Sequence, residues 1–442
     1  MKTTFVILSA IVILANCAGE NRKEKVNNST EKKSYPQFPV DSVIRGVKSP
    51  SNGNYSYSLY FPVSYNSDSA SPVVLIFDPH AKGHYPVSMY RKIANKYGFV
   101  LMASENSRNG LSLPEVNQIV SSIYSDAKNL VNINSKAIFA MGFSGGARTA
   151  GLLSQNYDIK AVIACGAGFE TPNQKLNNYM IGIAGDEDFN FMELNAMLFY
   201  NPDNANLIVF EGKHEWPDEA SVEAAFASLD NLFVKNNNAA KLEESFIFLK
   251  MLAETRYKEA NPFYRNLFLN LLTKTLKNHK DFEQILEMLN NSLQEIKENR
   301  DRLQKSFGEE MQKQQKFSEA FINEDITWWR KSLQELEKNI KFESDFFVVK
   351  MNKRLKAYLG ILAFSYCSKA ISTKQIEAAE IFLEIYQLLE PENPDVFFYK
   401  AKFFILKKDE LSAKTALEKS IKLGLDKKKI EDDIDLNQIL KN

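Results

Sequence analysis

Apolar positions along the chain follow two regimes. Up to about residue 237, short strand-like runs alternate with helix-like stripes. Tyr55 to Phe61 alternates with period two, while Val73-Val-Leu-Ile-Phe77 is unbroken, the pattern of a strand buried on both faces. Phe99 to Ala103, Ala137 to Phe143, Ala161 to Cys165, Met180 to Ala184 and Leu207 to Phe210 read as further strands. Between them, 86–97 is amphipathic and opens near Pro86. Residues 114–131 set Val116, Ile119, Val120, Ile123, Ala127 and Leu130 on one helical stripe. Residues 145–156 and 218–235 read as helices too. Strands separated by helices predict βαβ units and a mostly parallel sheet over 40–237. From 238 to 442 glycine nearly vanishes and Leu, Lys, Glu and Phe dominate, which predicts an all-helical half. Phe282, Leu286, Leu289, Leu293, Ile296, Leu303 and Phe307 form one stripe for helix–helix packing. Trp328 and Trp329 begin another with Leu333, Leu336 and Ile340.

Composition narrows the functional classes. The 442 residues carry 55 Lys+Arg and 55 Asp+Glu, a zero net charge that argues against a nucleic-acid protein held by a broad basic face. Three cysteines exclude a disulfide scaffold, and Cys165 and Cys367 fall in different regions. No nucleotide loop, metal cluster or cofactor motif is present in the sequence, so no cofactor is expected. The N-terminus reads as an address. Met1-Lys2 precedes an apolar run from Phe5 to Ala15, shorter than the roughly 20 residues a spanning helix needs but suited to a secretory signal. Cys17 follows Leu14-Ala15-Asn16, an ending that resembles a bacterial lipobox, although Asn16 replaces the usual small residue. That resemblance implies a signal peptide over 1–16, lipidation of Cys17 and an envelope location, at the periplasmic face or the cell surface. Polar residues over 17–39 then form a flexible tether.

One motif carries chemistry. Gly142-Phe143-Ser144-Gly145-Gly146 follows a predicted strand and opens a predicted helix, the context of a nucleophile elbow. Its glycines let the backbone approach closely around a sharp turn that exposes the Ser144 hydroxyl. The Gly145 N–H at the helix start can donate to an oxyanion. A serine nucleophile also needs a base and an orienting acid, in the chain order Ser, Asp, His. Of four histidines, only His214 lies downstream of Ser144 within the α/β region; it sits in Gly212-Lys-His214 after a predicted strand. The acid is Asp186 or Asp188, in the loop after the strand ending near Ala184.

Residues 55–237 resemble an α/β-hydrolase of the esterase type. Tyr57-Ser-Leu-Tyr-Phe-Pro62 and Ser71-Pro-Val-Val-Leu-Ile-Phe77 are similar to the start of carboxylesterases, dienelactone hydrolases and polyhydroxybutyrate-depolymerase-like or feruloyl esterases. Gly212-Lys-His-Glu-Trp-Pro217 is similar to the Gly-Gly-His-x-Trp-Pro ending of the last group. The resemblance implies serine hydrolysis of esters, less readily of peptides. It favours Asp188 over Asp186, because in Gly-Asp-x-Asp the second aspartate holds the histidine. At the oxyanion loop, Asp78-Pro79 stands where these families have His-Gly. Pro79 has no N–H, so the His80 N–H becomes the expected second oxyanion donor beside Gly145. About a dozen residues separate the strand ending at Gly166 from the one starting near Tyr179, too few for a helical cap. An open cleft is therefore expected.

The end of the chain repeats. Ala379 and Leu383 recur 34 residues later as Ala413 and Leu417, and Cys367 pairs with Ala401 at the same interval. Residues 346–442 resemble tetratricopeptide repeats, which implies a groove for a protein partner, with 238–345 as a further helical region. The expected fold is thus an α/β-hydrolase followed by an all-α tetratricopeptide-like domain. Two functions compete: an envelope-anchored serine esterase, or an inactive hydrolase-fold lipoprotein serving as an interaction module.

Overall fold

The computed structural model describes residues 34–169, 175–234, 239–258 and 261–441. The signal over 1–16, Cys17 and most of the tether lie outside them. Every strand and helix of the described residues belongs to one compact unit, Pro36–Asn442. Its first residues are already packed, with the Phe38 ring stacked on Phe61 at 5.0 Å.

Eight strands of the described residues form one sheet: β1 (Val43–Lys48), β2 (Ser56–Tyr60), β3 (Ser71–Phe77), β4 (Val100–Ser104), β5 (Ile133–Phe143), β6 (Ala161–Cys165), β7 (Tyr179–Gly185) and β8 (Ala205–Phe210). Their order is β1-β2-β4-β3-β5-β6-β7-β8. β2 runs antiparallel to both neighbours, and every pair from β4 to β8 is parallel. The unbroken apolar run of β3 serves both faces. Val74 and Ile76 join one apolar layer, and Val73, Leu75 and Phe77 join the other. β1 is not legible in the sequence, because Val-Ile-Arg-Gly-Val-Lys is half exposed at the sheet edge and carries no burial pattern.

Helices α1 (His84–Tyr97) and α5 (Glu219–Leu229) pack on one face. On the other lie α2 (Leu113–Leu130), α3 (Gly145–Asn156) and α4 (Phe191–Tyr200). Local signals fix their ends. The Glu115 side chain accepts the Ser112 N–H (2.7 Å) at the start of α2. Gly98, at φ +76°, ends α1. A π-helical turn over Asp230–Val234 continues α5, so the expected helix over 218–235 is split in type.

Ten helices follow among the described residues: α6 (Ala239–Glu254), α7 (Pro262–Thr275), α8 (Phe282–Asn323), α9 (Ile326–Phe342), α10 (Phe346–Ser372), α11 (Ile376–Leu389), α12 (Pro394–Leu406), α13 (Glu410–Lys422), α14 (Lys427–Glu431) and α15 (Ile434–Lys441). The first two belong to the core of the sheet. Phe246, Leu249, Phe268 and Leu272 are buried in the same apolar layer as α1 and α5, while Tyr264 and Leu267 join the opposite layer. α7 therefore runs along β8 and covers the edge of the sheet. The Tyr257 hydroxyl donates to the Val209 carbonyl (2.8 Å), giving a partner to an edge group that would otherwise need water. On α8 the expected stripe is only half realised. Leu293 is exposed, and fully or nearly buried positions include Ile285, Ser292, Ser306 and Glu310. Helices α10–α11 and α12–α13 form two hairpins. Their turns place Lys374 (φ +57°) and Lys408 (φ +61°) 34 positions apart, and Cys367, Ala379, Ala401 and Ala413 are buried at the crossings.

Candidate active site

Ser144 stands between β5 and α3 with φ +52° and ψ −122°, a conformation sparsely populated by L-residues. Close packing around it dictates the glycines. A Cβ on Gly142 would overlap the Gly146 carbonyl, and one on Gly146 would overlap the Phe77 carbonyl. A Cβ on Gly145 would overlap the side chain of Asn109. The Ser144 N–H donates to Cys165 O (2.8 Å), anchoring the turn to the end of β6.

The sequence-predicted residues meet here. His214 Nε2 lies 2.9 Å from Ser144 Oγ, and His214 Nδ1 lies 3.0 Å from Asp188 Oδ1. The imidazole is half-buried between Phe143 and Phe189, with ring centroids 4.7 and 4.3 Å away. Asp188 is fully buried, and burial pushes its carboxyl above the usual range despite the opposing pull of His214. Its Oδ1 also accepts the Asn190 N–H (2.8 Å). Its Oδ2 is packed against Gly166, whose missing Cβ would stand 3.1 Å from it.

Asp186, the other candidate acid, is engaged elsewhere. Lys350 Nζ from α10 lies 2.8 Å from Asp186 Oδ2 and 2.8 Å from Glu187 Oε1. Burial raises the Asp186 carboxyl, opposed by Lys350. For Glu187, burial is outweighed by Lys350 and Lys353, and its carboxyl falls below the usual range. Arg354 donates to the Asp186 carbonyl (3.1 Å) while paired with the fully buried Glu310 (2.7 Å). Three cations of α10 thus grip the two residues before Asp188. Sequence reasoning missed them, because nothing near Lys350 in the chain indicates which loop it meets.

The expected oxyanion donor at His80 requires correction. Its N–H already donates to Asp78 Oδ1 (2.8 Å), as does that of Lys82 (3.1 Å). The Ala81 N–H donates to Ser107 O (2.8 Å). Asp78 is held in turn by Trp216, whose Nε1–H donates to Oδ2 (3.0 Å). The Trp216-Pro217 ending is therefore a brace for this loop, with Pro217 O accepting the Tyr90 hydroxyl (2.7 Å). The His80 side chain is exposed. The Gly145 N–H, at the first position of α3, has no intrahelical acceptor and stays available.

Two other features test alternative chemistry. Glu243, His279 and Asp281 cluster, yet His279 Nδ1 accepts the Asp281 N–H (3.1 Å) and Nε2 faces Glu243 (3.4 Å). Its two nitrogens point to opposite partners and the ring stacks on Phe246 at 3.7 Å, the arrangement of a packing latch between α6 and the loop after α7. A cavity of about 840 Å³ lined by Met192, Phe199, Phe263, Leu267 and Phe307 lies between α4, α7 and α8. None of Ser144, Asp188 and His214 lines it. The expected capless link between β6 and β7 includes 170–174, outside the described residues. The helical half does approach the site, through α10 at the acid loop and through Asp426, 3.8 Å from Lys82.

The strand order, the elbow after β5 and the order Ser144, Asp188, His214 are those of an α/β-hydrolase fold, here followed by an all-helical region. No family model matches the chain, and no curated protein matches it in sequence. Among solved structures it is similar to an α/β serine hydrolase homologue from Coxiella burnetii, at 14% identity over 45% of this chain and 100% of that one, with a TM-score of 0.35. It is also similar to Est1E from Butyrivibrio proteoclasticus (13% identity, 42% and 95%, TM-score 0.33). A dienelactone hydrolase-like promiscuous phosphotriesterase from metagenomic libraries matches at 12% identity (40% and 93%, TM-score 0.34).

Proposed function

We propose that this protein is a serine hydrolase that cleaves carboxylic esters and is held at the bacterial envelope by a lipid on Cys17. The observation that carries the reading is the chain of contacts from Ser144 Oγ to His214 Nε2 (2.9 Å) and from His214 Nδ1 to Asp188 (3.0 Å). His214 takes the Ser144 proton as Oγ attacks the ester carbonyl. The Gly145 N–H donates to the oxygen that gains charge, and His214 returns the proton to the leaving alcohol. Water, activated by the same imidazole, releases the acid. Asp188 fixes the tautomer that leaves Nε2 free to accept. The turns and small crossing residues of α10–α13 support a tetratricopeptide-like surface for a protein partner.

A second reading, an inactive hydrolase fold that acts only through its helices, draws on one observation: the N–H groups of His80, Ala81 and Lys82 are all engaged. A fluorophosphonate probe separates the two. Labelling and hydrolysis of a short aryl ester are expected, both abolished by Ser144→Ala, with the labelled band leaving the membrane fraction on Cys17→Ser. Folded parent protein that takes no label would overturn the hydrolase reading, and a band that stays in the membrane fraction on Cys17→Ser would overturn the anchor.

A further inference from the structure

Acyl transfer through Ser144 gains from a second donor beside the Gly145 N–H, since loss of one oxyanion donor costs about 10²–10³ in kcat. In the loop after β3, none of residues 79–82 offers a free N–H. Pro79 lacks an N–H, His80 and Lys82 donate to Asp78 Oδ1, and Ala81 donates to Ser107 O. The neighbouring loop after β4 lies beside it. It is bridged to the first through His80 and Arg108, and the Asn109 N–H donates to Pro79 O (2.8 Å). This pins the Asn109 backbone beside the oxyanion loop. Its side-chain amide then lies against Gly145, with Oδ1 overlapping the place of a Cβ and Nδ2 on the far side, 3.5 Å from that place. Neither amide atom has a hydrogen-bond partner among the described residues, and the side chain is exposed. Rotation by 180° about the last torsion exchanges Oδ1 and Nδ2 without breaking a hydrogen bond.

We propose that the Asn109 side-chain amide is the second oxyanion donor, taking the place of the backbone N–H that Pro79 and the Asp78 turn remove. This rests on the reading of Ser144 as nucleophile. In the tetrahedral intermediate the former carbonyl oxygen accepts from Gly145 N–H and Asn109 Nδ2–H. The overlap at Gly145 has the same origin, since only glycine lets the amide lie that close.

The test uses the full chain with p-nitrophenyl acetate and a fluorophosphonate, comparing parent, Ser144→Ala, Asn109→Ala and Asn109→Asp. Asn109→Ala is expected to lower kcat about a hundredfold or more, with KM within about twofold, because the donor acts in the transition state. Asn109→Asp, nearly the same shape, is expected to fall at least as far, because a carboxylate repels the oxyanion. Fluorophosphonate labelling should slow in both, and affinity for a boronic acid that mimics the tetrahedral state should drop in parallel. Asn109→Ala with kcat within about threefold of the parent, or a loss confined to KM, overturns the assignment while leaving the Ser144 reading intact. Ser144→Ala that retains the parent rate overturns the reading beneath it, and this assignment with it.

Discussion

At the scale of single residues, the site is built on a strained serine surrounded by absent side chains. Ser144 holds φ +52° because α3 must start where β5 ends and because Gly142, Gly145 and Gly146 leave no space for relaxation. Such a conformation costs about 1–3 kcal/mol in a non-glycine residue. Ser144→Gly is therefore expected to raise stability by about 1 kcal/mol while abolishing hydrolysis, whereas Ser144→Ala keeps the strain and gains nothing. Thermal melts of the two variants side by side check this; equal melting temperatures would count against stored strain. Ser144 and His214 were legible because a motif and a scarcity of histidines singled them out. Asp186 and Asp188 were not separable by chemistry in the sequence. Their difference is made by partners 26 residues downstream, at His214, and more than 160 downstream, at Lys350.

At the scale of elements, α10 does more than contribute to a helical array. Lys350, Lys353 and Arg354 fall on successive turns of one helix face and meet Asp186 and Glu187, directly before Asp188. Removing one partner of a nearly buried pair leaves an uncompensated charge, at about 3 kcal/mol or more. Lys350→Met is expected to destabilise the fold by that order and to lower kcat, because the acid loop loses its tether. The added change Asp186→Asn should recover most of the stability, since the orphaned charge goes with it. Chemical denaturation of the single and double variants measures both. The helices with period 3.6 were readable, but α4 was not, because Phe191–Tyr200 is apolar nearly all round and shows no stripe. The 34-residue interval was readable because the same hairpin is built twice.

At the scale of the molecule, the change of composition near residue 238 does not coincide with a break in packing. α6 and α7 seal the β8 edge and complete both apolar layers. A chain ending at residue 237 would expose those layers and an unpaired strand edge, the setting for aggregation. It is expected to be insoluble or molten, while a chain extended through α7 recovers more ordered protein. Near-ultraviolet circular dichroism of the two truncations decides this, and a well-folded 34–237 fragment would contradict it.

Pattern and spacing alone determined the parallel α/β sheet, the helical second half, the elbow at Ser144 and the histidine that meets it. These are local properties, fixed by periodicity, by glycine sterics and by the order of a few residues. Tertiary structure decided which aspartate faces His214, that the His80 N–H is already engaged, that Asn109 lies over Gly145, and that α6 and α7 belong to the core of the sheet. Each of those depends on residues brought together from distant segments, where the partner of a buried charge or of a free N–H is set by packing and leaves no mark on the neighbouring sequence.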